Sequence, residues 1–187
     1  MFTISEYFSL KICNACNLIG GYKIMEYYSL IFIIKKKEYF CIWYSDEKDG
    51  FIKESNQIIF FDNNEQLNEY ATSKNINIEK GITILNIDNA TNWLSLDQKN
   101  IDCKYFLDFW NIITDLANSV GIEFHGNSDK AIVNEIYNKL FYGNNIPVVK
   151  GDGEEFIPDW STEEMNELSD IITDGIALIK KCLYING

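Results

Sequence analysis

The spacing of apolar residues changes once along this chain, and that change limits what it can fold into. Up to about Ala90, apolar residues gather in short β-branched and aromatic runs; beyond it they recur every three to four residues. Tyr27–Ile34 and Tyr39–Ser45 are runs of strand length, joined by Lys35-Lys36-Lys37-Glu38, a polar connector expected to form a hairpin loop. Asp46-Glu47-Lys48-Asp49-Gly50 closes the second run with turn residues. Gln57–Phe61 and Ile82–Ile87 read as a third and a fourth strand. Before the fourth, Asp62 or Asn63 can cap a short helix reaching Asn75, with Leu67, Tyr70 and Ala71 at helical spacing.

In the second half, Tyr105, Phe106, Phe109, Trp110, Ile113 and Leu116 lie on one long apolar pattern that Gly121 stops, which predicts a central helix. Ile132 to Phe141 mark another helix, ending at Gly143-Asn144-Asn145. Ser161-Thr162-Glu163-Glu164 fits a capping box, in which Ser and Glu satisfy each other's free backbone donors. Met165, Leu168, Ile172, Ile176, Ile179 and Leu183 then give a last helix its apolar stripe. The expected class is α+β: residues 1–99 as a mostly antiparallel β-sheet lobe with one packed helix, residues 100–187 as an α-helical lobe, the two sharing a core in one compact unit.

Charge is uneven along the same division. All 16 basic residues are lysine, against 28 acids, a net of −12. Such a chain repels nucleic acid and anionic membrane, whose binding depends on neutralising phosphate. Residues 1–99 carry −3 and residues 100–187 carry −9. From Gly151 to Ile179 nine acids meet no lysine at all. A solvated helix face accounts for this, and so does a surface for a basic partner, which such a field attracts about 10–10³-fold faster. The expected contact residues are Asp152, Glu154, Glu155, Asp159, Glu163, Glu164, Glu167 and Asp170. Trp160, like Phe156, is either an anchor on that surface or a plug holding it to the core.

Catalytic signatures are weak. Cys13-Asn14-Ala15-Cys16 lacks the second pair that a zinc ribbon needs and the βαβ setting of a redox motif. His125 is the only histidine and has no partner at a recognised spacing. Adjacent acids such as Glu154-Glu155 or Glu163-Glu164 point about 100° apart on a helix, so neither pair converges unaided. Lys48 breaks the calcium-loop pattern that Asp46 begins, and no glycine stands in a phosphate-loop context. No catalytic residue, cofactor or metal is therefore expected. Residues 1–25 lack the basic start and the cleavage site of a secretory signal, and no apolar run approaches the roughly 20 residues of a membrane helix. With five cysteines, an odd number, the expected compartment is the reducing cytoplasm.

Three segments together carry a resemblance. They are Tyr44-Ser45-Asp46-Glu47-Lys48-Asp49-Gly50-Phe51-Ile52; Phe60-Phe61-Asp62 leading to Tyr70-Ala71; and Ile136–Pro147 with Glu154–Glu164. The chain from about residue 26 to 185 resembles the immunity proteins of bacterial contact-dependent growth inhibition systems. The resemblance implies a non-enzymatic antidote that binds the C-terminal domain of a cognate toxin 1:1 and blocks a basic active site. The implied toxin is a nuclease, an EndoU-like RNase being the best match for a two-lobed antidote. The family has no catalytic residues to carry over, and its contact residues vary between members. Two other readings stay open: a small carboxylate-dependent hydrolase, which predicts a deep pocket of converging, perturbed acids, and an acidic adaptor subunit, which predicts an exposed apolar patch.

Overall fold

The computed structural model describes residues 25–97, 100–146 and 154–184. Strands β1 (Glu26–Ile34) and β2 (Lys37–Ser45) form an antiparallel hairpin in which Ile34 faces Lys37. The connection is tighter than the sequence suggests, because only Lys35 and Lys36 turn the chain. Both sit at positive φ, 51° and 62°, the mirror-image turn that suits strand twist but costs a residue bearing a β-carbon. Asp88 offsets that cost. Its two carboxylate oxygens accept the Lys35 and Lys36 amide hydrogens at 2.7 and 2.8 Å.

β3 (Gly50–Phe51) pairs antiparallel with β2, and β6 (Ile78–Asn86) pairs parallel with β1, giving the order β3-β2-β1-β6. β4 (Lys53–Glu54) and β5 (Gln57–Ile58) make a separate two-stranded ribbon. Two of the three pairings in the main sheet are thus antiparallel. The third is parallel because the chain crosses through helix α1 (Asn64–Ser73) before returning beside β1. The third expected strand is cut to Gln57–Ile58, with Phe61 making only an isolated bridge to Phe40. The fourth begins earlier than expected, at Ile78.

Both faces of the sheet carry a core, although Ile82 and Ile84 of β6 stay exposed. On one, Ile31, Phe40 and Ile42 meet Leu67 and Ala71 of α1. The other, with Leu30, Phe32, Cys41, Trp43 and Leu85, joins one continuous core with α2 (Ile87–Leu94), α3 (Cys103–Val120), α4 (Ala131–Gly143) and α5 (Thr162–Tyr184). α2 is a helix the strand pattern conceals. Asn86 both ends β6 and caps α2, its side chain accepting the Asp88 amide hydrogen at 3.0 Å. α3 is central as expected, with Phe109, Trp110, Ile113, Leu116 and Ala117 fully enclosed, and Gly121 ends it in the left-handed conformation at φ 68°.

Polar bonds tie α3 to the sheet as well. Trp43 Nε1 donates to Asp115 Oδ2 at 3.0 Å, and the Phe51 amide donates to Ser119 Oγ at 3.0 Å. Lys53 Nζ adds a bond to the Ser119 carbonyl.

Candidate functional site

α5 carries five of the fifteen acids of residues 100–187: Glu163, Glu164, Glu167, Asp170 and Asp174. Its apolar stripe, centred on Leu168, Ile172, Ile176 and Ile179, packs on α2, α3 and α4 and fixes which side chains face water. Glu163, Glu167, Asp170 and Asp174 follow at i, i+4, i+7 and i+11. At 100° and 1.5 Å per residue they share an arc of about 60° and a strip about 16 Å long. Glu163 and Asp170 are exposed, whereas Glu167 and Asp174 are half-buried.

The start of α5 has the expected capping box. Ser161 Oγ accepts the Glu164 amide hydrogen at 3.2 Å, and Glu164 Oε2 accepts the Ser161 amide hydrogen at 2.8 Å. Lys139 of α4 then pairs with the same carboxylate at 2.7 Å. Burial opposes the charge on Glu164, but the bonds from Lys139 and Ser161 outweigh it and hold the carboxyl below its ordinary 4.5. Lys139 also donates to the Asp159 carbonyl at 2.6 Å and lies 5.5 Å from the centre of the Trp160 ring. Trp160 is therefore partly a plug, half-buried against that lysine. Glu164, 6% exposed, serves the helix start and not the surface.

The other contact residues expected from sequence fall into three groups. Glu154, Glu155, Asp159, Glu163 and Asp170 stand in solvent, as does Phe156. Glu167 is drawn partly inward by His125. Asp152 lies outside the described residues, as does the Cys13-Cys16 pair.

His125, to which its sequence neighbours assign no role, does have partners. Its Nε2 lies 2.8 Å from Glu167 Oε1, which also meets Lys130 Nζ at 3.6 Å. Its amide donates to Asp174 Oδ2 at 2.8 Å. The short 3₁₀ turn His125–Asn127 is further held by Trp110 Nε1 on the Gly126 carbonyl at 3.1 Å and by Thr114 Oγ1 on Asn127 Oδ1 at 2.8 Å. Beside it opens a cavity of about 750 Å³, lined by Asn118, Glu123, His125, Asn127, Ser128 and Asp174 among others. These partners are 42 and 49 residues away in sequence, beyond the reach of local spacing. The one signal that could have found them is the 4-3-4 spacing of acids on α5.

Among the described residues, the most perturbed carboxyl is elsewhere. Burial pushes Asp115 up to about 7, although the Trp43 bond pulls it down. It does not line the His125 cavity, so pocket and perturbed acid do not coincide. Cys41, Cys103 and Cys182 are buried, and burial raises each thiol above its ordinary 9.0. Such thiols are poor nucleophiles. Among the described residues no group of three or more His, Cys, Asp or Glu side chains could hold a metal ion, and no helix is long and apolar enough to cross a membrane.

No family model matches this chain, and neither a curated protein nor a solved structure matches it. What the fold and surface define is an α+β protein with an acidic face on its helical half.

Proposed function

We propose that this chain is a stoichiometric binding protein, an immunity protein of the contact-dependent growth inhibition kind, acting in the cytoplasm on a basic toxin domain. One observation carries the reading. Glu154, Glu155, Asp159, Glu163 and Asp170 all stand in solvent along a stretch that no lysine interrupts. Like charges gathered on an exposed stretch repel each other and add little to a fold, which supports a use in what they attract. A nuclease that binds RNA offers the complementary field, because its cleft must neutralise phosphate. Holding such an enzyme against its substrate asks for a nanomolar complex or better, about −12 kcal/mol. The antidote makes or breaks no bond itself.

The test is co-expression with the domain encoded in the adjoining reading frame. A 1:1 complex that co-purifies and abolishes nuclease activity is the expected result. Undiminished nuclease activity in the presence of excess antidote refutes the proposal. A second reading, a small hydrolase, is favoured by the His125–Glu167 pair beside its cavity. Substrate turnover by the isolated chain, lost in His125→Ala, would put it in place of the first.

A further inference from the structure

Among the described residues, α4 ends beside a segment whose shape is set by side chains and not by a ladder of backbone bonds. Asn145, at φ 51°, uses both ends of its carboxamide on Phe156. Its Oδ1 accepts the Phe156 amide hydrogen at 2.7 Å, and its Nδ2 donates to the Phe156 carbonyl at 3.0 Å. That is the pair of bonds a neighbouring strand would supply. Two residues on, Pro158 fits against Gly143, where a β-carbon would lie 3.0 Å from Pro158 Cγ and 2.6 Å from Cys103 Sγ. Lys139 holds the Asp159 carbonyl. The segment is pinned at Phe156, Pro158 and Asp159 in turn.

Those fixings could have turned the large apolar side chains inward. Instead Ile157 is 84% exposed, Tyr142 53% and Phe156 45%. The Tyr142 and Phe156 rings meet edge to face at 6.2 Å, so two of the three form one surface, and Ile157 follows directly in the chain. Exposed Glu154, Glu155, Asp159 and Glu163 flank them in sequence. An apolar centre with a charged margin is the anatomy of a protein interface, and a pinned backbone lowers the entropy lost on docking.

We propose that Tyr142, Phe156 and Ile157 are the apolar anchor of an interface whose occupant is a basic protein domain, with Glu154, Glu155, Asp159 and Glu163 as its rim. This rests on the reading that the chain binds a basic partner. Charge selects that occupant over the others. A second copy docked by two-fold symmetry would bring the same acidic rim against itself, and an anionic membrane would be repelled. A basic domain alone pairs with the rim while burying the centre. The division of labour follows: the acids set the rate of encounter, and the apolar trio sets the lifetime of the complex.

The experiment measures association and dissociation of the full chain with the domain from the adjoining reading frame, at two salt concentrations. Ile157→Asn and Phe156→Ser should each raise the dissociation rate at least tenfold, with the association rate and its salt dependence unchanged. Glu154→Gln, Glu155→Gln and Glu163→Gln combined should slow association and flatten its salt dependence. All five side chains are exposed, and thermal melts verify that the fold is kept. Wild-type lifetimes in both apolar variants overturn the anchor while leaving the basic-partner reading standing. Failure of the wild-type chain to bind overturns both. A dimer of the isolated chain that Ile157→Asn abolishes overturns the choice of occupant in favour of a second copy.

Discussion

Replacing Asp115 by Asn tests how the sheet and the helical layer are joined. Asp115 projects from α3 into the core and accepts the Trp43 indole hydrogen at 3.0 Å. Burial pushes its carboxyl from the ordinary 3.8 up to about 7, the Trp43 bond opposing and the nearby Asp49 charge reinforcing the rise. The sign follows from proton counting. Between 3.8 and 7 the folded chain holds a proton at this position that the unfolded chain has released, so stability falls as pH rises through that window and levels off above it. At 1.36 kcal/mol per pH unit the full loss is about 4 kcal/mol, of which about 3 kcal/mol falls between pH 5 and pH 8. Asparagine keeps an oxygen to accept the Trp43 bond and has no charge to bury. Asp115→Asn should therefore gain about 3 kcal/mol more over wild type at pH 8 than at pH 5. Urea unfolding followed by tryptophan fluorescence at both pH values, on both proteins, measures this difference with the other acids common to each. A stability difference that stays constant from pH 5 to pH 8 would refute the reasoning.

Glu164 has the opposite sign. Its carboxyl is held below the ordinary 4.5, so its contribution is present at neutral pH and is lost as pH falls through its folded value. Glu164→Gln should cost about 2 kcal/mol at pH 7 and nothing measurable once the wild-type carboxyl is protonated, as read by thermal melts across that range. Gly175 sits inside α5, where helix propensity alone would make Gly175→Ala a gain of about 1 kcal/mol. A β-carbon there would meet Phe109 Cε1 at 2.7 Å and Cζ at 2.9 Å, so the substitution should instead cost about 1–3 kcal/mol in a denaturant titration.

What was legible in the sequence is what local spacing dictates. The β1–β2 hairpin, the buried length of α3 and the capping box of α5 each rest on residues within one or two turns of each other. The parallel pairing of β6 with β1 does not, because it depends on which edge of the hairpin is open when the chain returns from α1. α2 was hidden for a different reason: the β-branched run Ile82–Ile87 passes into it without a break, and Asn86 alone marks the change. At the site, the acids were visible as a group but not in their uses. Helix phase separates Glu163, which faces water, from Glu164 beside it, which closes the capping box. Only the fold brings Glu167 and Asp174 to His125.

Sorting the acids by use also bears on what the exposed ones are for. Asp88 holds the hairpin turn, Asp115 accepts from Trp43, Glu164 closes a helix, and Glu167 and Asp174 fix His125. Each is placed by a bond within the chain that its removal would break. A chain that needed charge only for solubility would be served by acids scattered over its surface. Here the exposed set includes Glu154, Glu155, Asp159 and Glu163, which flank in sequence an isoleucine and a phenylalanine whose backbone the fold pins. Solubility gains nothing from that isoleucine, and stability gains little from a side chain 84% exposed to water. The proposed association would use both, because long-range attraction weakens with salt while apolar contact does not. The complex should accordingly form more slowly as salt is raised yet last as long once formed, a separation that neither a purely electrostatic nor a purely apolar surface would give.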